Sequence, residues 1–196
     1  MDKAQFLKAF HHCRIIPDEQ DFPALLDASY HQRSAAVLVV LVEREHGLNM
    51  VLTRRAGHLK HHAGQISFPG GKYEETDDDL QHTALRETQE EIGLSLTSSH
   101  VIGAIGNYTT ISGFRVTPYI AITDTIPALK IDSNEVEYAF EVPLAHCLAK
   151  DNWLSHPVTR FEKTYQVYFI HWGDTYIWGA TAGIIKNLSN HILGEG

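Results

Sequence analysis

The stretch "FPGGKYEETDDDLQHTALRETQEEIGL", Phe68 to Leu94, decides how this chain is read. Pro69, Gly70 and Gly71 end a short strand candidate, "QISF", because they supply turn geometry and cannot continue a ladder. Acids crowd residues 74–79, and a periodic segment follows that predicts a helix from about Asp77 to Ile92, closed by Gly93 where a left-handed residue is needed. At 3.6 residues per turn, Glu87, Glu90 and Glu91 stand at i, i+3 and i+4, which puts three carboxylates on one face. The opposite stripe, Leu80, Ala84, Leu85, Thr88 and Ile92, is expected to be the buried one. Arg86 can pair with Glu90 one turn on. Like charges so placed repel, and a divalent cation relieves them; hard oxygen ligands suit Mg²⁺ or Mn²⁺. The plain alternative is a solvated acidic helix.

The flanking sequence argues against that alternative. From His46 to Tyr73 there is no Asp or Glu, while Arg54, Arg55, Lys60 and Lys72 fall in this window together with His58, His61 and His62. A basic island therefore abuts an acidic cluster in a chain of net charge -8. Such segregation suits a site that holds an anionic substrate on one side and a metal on the other, as polyphosphate chemistry requires. The three histidines have no matched Cys, His or acid at zinc-ligand spacing.

Working outward, residues 2–13 place Phe6, Leu7 and Phe10 at helical spacing, and Pro17 and Pro23 mark a linker. "SAAVLVVLVERE" and "MVLTRR" read as a hairpin about "HGLN"; "HVIGAIGNYTT" and "FRVTPYIAIT" read as strands. "VPLAHCLAK" is a short helix, "KTYQVYFIHW" an alternating strand, and the segment ending "GIIKNLSNHIL" a last helix. Hairpins mixed with isolated helices predict an α+β sandwich around a mixed sheet. The expected division is an N-terminal helical extension and linker over 1–30 and one domain over 31–196. Either terminal helix could pack on the domain or on a second copy in a homodimer.

With 196 residues, 43% of them apolar, the chain is large enough to bury a sizeable core. Its negative charge argues against nucleic acid or acidic membrane as partner. Cys13 and Cys147 lie too far apart for a CxxC motif, and no run of 18 apolar residues occurs, so a cytoplasmic, non-membrane protein is expected.

Gly71, Arg86, Glu87, Glu90, Glu91, Gly93 and Leu94 resemble the Nudix box, GX5EX7REUXEEXGU, in which U is a bulky aliphatic residue. Thr88 stands at a U position. Gly71 and Arg86 are one residue further apart than the box prescribes, and Asp replaces its first Glu: Asp77 counting forward from Gly71, Asp78 counting back from Arg86. Upstream, "LTRRAGHLKHHAGQISFPGG", residues 52–71, is similar to the LTxRxxxLxxHxGQxxFPGG signature of the coenzyme A pyrophosphatase branch of Nudix hydrolases. The resemblance covers about residues 33–185.

It implies a Nudix α/β/α sandwich and metal-dependent hydrolysis of the pyrophosphate of coenzyme A or its thioesters, giving 3',5'-ADP and 4'-phosphopantetheine or its acyl form. Glu87, Glu90 and Glu91 carry over as metal ligands, with one of them an alternative base acting through a bound water, and Arg86 as an orienter of a glutamate. An acid outside the box often joins such a site, and Glu135, from "NEVEYAFEVPL" with Glu137 and Glu141, is the candidate. Arg55, Lys60 and His62 are the expected phosphate contacts, Arg55 foremost for its bidentate fork. Gly70 and Gly71 let backbone pass close to the substrate. Trp172, Tyr176 and Trp178 could stack a base or a pantetheine arm, or serve as core. Two other functions fit the residues: a Nudix pyrophosphatase acting on NADH or ADP-ribose, and an inactive Nudix-like module that binds a nucleotide or a protein.

Overall fold

The computed structural model describes residues 1–12, 32–160 and 163–194. Strand β1 (Arg33–Arg44) is the spine of the molecule. It pairs antiparallel with β2 (Gly47–Arg55) and β4 (Gly70–Lys72), and parallel with β7 (Phe114–Thr123), so the sheet is mixed. The sheet runs β3 (Ile66–Ser67), β2, β1, β7, β5 (Val101–Ala104), with β6 (Tyr108–Thr109) on β7 and β8 (Val136–Pro143) on β2. A second, three-stranded antiparallel sheet is built from β9 (Trp153–Arg160), β10 (Lys163–Trp172) and β11 (Thr175–Trp178).

Helices cover both faces of β1, which is why its run "AAVLVVLV" shows no alternation. Ala36, Leu38, Val40 and Val42 meet Ala84, Ile92 and Leu94, the last two at the end of α2 (Leu80–Ile92) and just past it. Ala35, Val39 and Leu41 belong to the opposite core, with Phe6 and Phe10 of α1 (Lys3–His12), Leu144 and Cys147 of α3 (Leu144–Leu148) and Ile184, Ile185 and Leu188 of α4 (Ala180–Leu193). The layers are helix, mixed sheet, helix, as the α+β sandwich reading expects.

Helix α1 is tied to this core. Phe6 is fully buried, the Phe10 carbonyl lies 3.0 Å from His191 Nε2 on α4, and the Met1 carbonyl accepts from Leu48 N–H at 3.1 Å. The expected linker with Pro17, Pro23 and Cys13 falls outside the described residues. Cys147 is a free, buried thiol whose pKa burial pushes up to about 12.

Three expectations are corrected in detail. Helix α2 begins at Leu80, three residues late, because Asp79 caps it by accepting from His82 N–H at 2.7 Å, while Asp77 is engaged elsewhere. Its buried face is Thr83, Ala84, Thr88, Glu91 and Ile92, with Leu80 and Leu85 half-buried. "HVIGAIGNYTT" forms two strands, β5 and β6, separated by residues 105–107, and within β5 the ladder to β7 slips between Val101 and Gly103, a glycine at φ 153°. Strand β9 went unread because Pro157 interrupts its pattern, which an outer strand tolerates. Among the described residues no helix is long and apolar enough to cross a membrane.

Candidate active site

Helix α2 lies over β4 and presents its second half to the turn that Pro69, Gly70 and Gly71 form. The three glutamates do not share one environment. Glu91 is 2% exposed, and one carboxylate oxygen accepts from Gly70 N–H at 3.2 Å while the other lies 3.7 Å from Arg55 Nη1. Glu87 is mostly covered, and Glu90 is largely open to solvent. The helical spacing predicts one shared face for all three, opposite the buried stripe. In the folded chain Glu91 turns inward to the sheet, because i+4 overshoots a full turn and carries it to the packed side.

Gly71 has a direct role in this geometry. A Cβ there would overlap the Glu87 carboxylate, so only glycine lets Glu87 reach the turn. At Gly70, φ is 150° and a Cβ would collide with the Ala36 carbonyl and the Val37 backbone. The two glycines thus bring main chain to within reach of two carboxylates.

Arg86 is the hub of the acidic cluster. Its guanidinium donates to Asp77 through Nε at 2.8 Å and Nη2 at 3.0 Å, and Nη1 donates to Glu87 at 3.0 Å and Glu90 at 2.9 Å. Asp77 is buried and also accepts from Thr83 Oγ1 at 2.8 Å and Glu74 N–H at 3.0 Å. Hydrogen bonds from Arg86 above all hold the Asp77 carboxyl well below the usual carboxylate range, against the opposing effect of burial. The position counted forward from Gly71 is therefore the one that anchors the arginine, while Asp78 is exposed. The sequence carried the signal in the five-residue count from Gly71, but the longer stretch to Arg86 obscured it.

The electrostatics single out Glu91. Burial pushes its pKa up to about 8; Gly70 N–H and Arg55 pull it down, and Glu87 and Glu135 push it further up. Burial also raises Glu87, offset in part by Arg86. Glu135 thus acts on both carboxylates. The other acids of "NEVEYAFEVPL" are engaged elsewhere: Glu137 pairs with Arg54 at 3.2 Å, and Glu141 with Arg44, with help from Asn49. The Glu135 segment is moored to α2 itself, since the carbonyls of Glu91 and Ile92 accept from Asp132 and Lys130 N–H, each at 3.0 Å.

Beside this cluster opens a cleft of about 1160 Å³, at or above the upper end of ordinary ligand sites. Arg55, His62, Gln65, Gly70, Gly71 and Lys72 line it. Tyr108, Ile111, Phe114, Tyr165, Tyr168 and Trp178, from β6, the loop after it, β7, β10 and β11, line the same space. Of the basic residues expected at the site, Arg55 and His62 are there; Lys60 is exposed on its loop and does not line the cleft, whereas Lys72 does. Trp178 is part of the wall, but Trp172 packs edge-on against His146 and Tyr176 against His171. No local pattern signals that Tyr108 and Phe114 line the same space as β10.

Residues 31–160 match the family model of the NUDIX domain. The chain belongs to the Nudix hydrolase family. It is similar to the uncharacterized Nudix hydrolase NudL of Cronobacter sakazakii, with 38% identity over 171 residues that span 87% of this chain and 88% of that protein. Among solved structures, a NUDIX hydrolase from Alicyclobacillus acidocaldarius superposes with a TM-score of 0.51 at 21% identity, covering 63% of this chain and 84% of that one. The NUDIX domain of Shewanella oneidensis NrtR, solved with ADP ribose, gives 0.50 at 21% identity, over 65% and 84%. The fold is the Nudix fold, and the protein is a Nudix pyrophosphatase.

Nudix hydrolases generally use divalent metal ions, and the donor set here fits one. Glu91 and Glu87 are both largely screened from water, Glu87 pushes up the pKa of Glu91, and Glu135, a third carboxylate nearby, pushes up both. A hard cation would replace protons at such a site. Among the described residues no three acid, His or Cys side chains already converge as ligands, and Arg86 holds Glu87 and Glu90 in their place.

Proposed function

We propose that this Nudix hydrolase cleaves the pyrophosphate of coenzyme A or a derivative, releasing 3',5'-ADP and 4'-phosphopantetheine or its acyl form. The observation that carries the reading is the mixed lining of the cleft: Arg55, Lys72 and the Gly70–Gly71 turn, against which Glu87 and Glu91 lie, share one cavity with several aromatic side chains. A polyphosphate with a long, weakly polar arm suits both kinds of lining. Glu87, Glu90 and Glu91, joined by Glu135, would hold Mg²⁺ or Mn²⁺, which when bound neutralises oxygens that gain charge and acidifies water. Arg86, fixed by Asp77, orients Glu87 and Glu90. Arg55 and His62, with Lys72 nearer than Lys60, take the substrate phosphates, and Gly70 and Gly71 admit them close to main chain. Residues 31–196 form the hydrolase domain and 1–30 its extension.

Incubation with coenzyme A and Mg²⁺ or Mn²⁺, followed by chromatography and mass spectrometry, tests this: 3',5'-ADP and 4'-phosphopantetheine are expected, and intact coenzyme A beside cleaved ADP-ribose or NADH would overturn it. That second substrate class is favoured by the likeness to the NrtR domain solved with ADP ribose. Arg55→Ala separates the phosphates: its KM for coenzyme A should rise more than its KM for the 3'-dephospho form.

A further inference from the structure

The loop between β2 and β3 carries one residue that is out of place by ordinary backbone preference. His62 has φ 58°, the only residue other than glycine in the left-handed region among the described residues. Histidine adopts that region more readily than most side chains, but it does so where the surroundings hold it. Here the surroundings are explicit. Gln65 N–H donates to the His62 carbonyl at 3.2 Å, Gly64 N–H donates to the Arg55 carbonyl at 3.0 Å, and Arg55 N–H donates to the Gln65 carbonyl at 2.9 Å. The turn is thereby clipped to the end of β2 on both sides of Arg55.

The side chains complete the arrangement. His62 Nδ1 lies 2.8 Å from Gln65 Oε1, and both residues line the cleft, as Arg55 and Lys72 do. An amide oxygen only accepts, so this bond places the proton on Nδ1 and leaves Nε2 without a hydrogen-bond partner among the described residues. Beside a phosphate, which offers acceptors alone, Nε2 is useful when it too carries hydrogen. The Gln65 oxygen accepts from Nδ1 whether or not Nε2 carries hydrogen, so the ring keeps its orientation in either state.

We propose that Gln65 is a positioning residue that holds His62 as one jaw of a phosphate clamp, with the Arg55 guanidinium as the other. The left-handed turn supplies the direction of the imidazole, and Gln65 supplies its tautomer. Charged and titratable groups that share the cleft with His62 are Arg55 on β2, paired with Glu91, Lys72 on β4, Tyr108 on β6, and Tyr165 and Tyr168 on β10; Lys60 and His61 share its loop. The proposal rests on the pyrophosphatase reading of the cleft.

The test is a double-mutant cycle in KM and kcat, with coenzyme A and ADP-ribose assayed side by side. In the full chain Gln65→Ala should raise KM roughly tenfold with kcat nearly unchanged, the effect of losing one oriented charge-assisted bond to substrate. In a His62→Gly background, which relieves the backbone and removes the ring, Gln65→Ala should add less than about twofold. Gln65→Glu should restore KM and carry the low-KM range to higher pH, because a carboxylate holds the imidazolium longer. Equal effects of Gln65→Ala in both backgrounds, or a Gln65→Glu profile that superposes on the parent, overturn the clamp. Turnover of ADP-ribose but not coenzyme A removes the substrate assignment and leaves the clamp to be judged on ADP-ribose; no turnover of either removes both.

Discussion

Glu91→Gln in metal-free protein should raise stability, and by an amount that depends on pH in a defined way. The carboxyl is 2% exposed, and its pKa lies at about 8 against an ordinary 4.5. Because the folded value is the higher one, the native state binds the extra proton between these limits, and stability falls as pH rises through the window. The slope is about 1.4 kcal/mol per pH unit, so at pH 7 the native state has lost roughly 3 kcal/mol that it holds at pH 4.5. For a chain of this length that is on the order of 6–12 °C in Tm. Gln can still accept from Gly70 N–H but has no charge to bury, so its Tm should exceed the parent's increasingly from pH 5 to 8. Melting curves in EDTA from pH 4.5 to 8.5, read as the difference between variant and parent, isolate this group. A difference that stays flat with pH would refute the reasoning, for it would mean that Glu91 meets water or a permanent cation in the folded state. Mg²⁺ added at pH 7.5 should stabilise the parent and leave the Gln variant little changed.

Three further outcomes follow from the same geometry. Gly71→Ala displaces the Glu87 carboxylate and should lower kcat by about 100-fold while the fold, followed by circular dichroism, is kept. Asp77→Asn breaks the support of Arg86 and should cost about 3 kcal/mol in urea unfolding, whereas Asp78→Asn, exposed, should cost under about 0.5 kcal/mol. Gly183→Ala on α4 would drive a methyl into the Tyr108 ring, part of the cleft wall, so KM for a substrate with a long arm should rise while activity on a short dinucleotide holds.

Much of this fold was legible because its strands carry strong local signals. β1, β7 and β10 are long runs of β-branched and aromatic residues, and their limits follow the reading closely. The glutamate face and the glycine turn were legible too, since each is confined to a few consecutive residues. What escaped is what depends on distant parts of the chain meeting. Glu91 looks no different from Glu90 in sequence, yet one is buried against Gly70 and the other lies in solvent. Lys60 and Lys72 are equally basic, and only the fold decides that Lys72 borders the cleft. The aromatic wall joins β6 to β10, separated by more than fifty residues, through packing that no local period encodes.

The mooring of the Glu135 segment to the end of α2 uses main-chain atoms alone at Lys130 and Asp132. The side chain at Lys130 is consequently free to drift over evolutionary time without moving the third carboxylate, provided an amide hydrogen survives, whereas the Asp132 carboxylate also accepts from Asn134 N–H at 2.9 Å and shapes the turn into Glu135. Proline is the one residue forbidden at position 130. A comparison of homologues would then show a variable letter at a position on which the placement of Glu135 depends, and a measure of importance based on residue identity would pass over it.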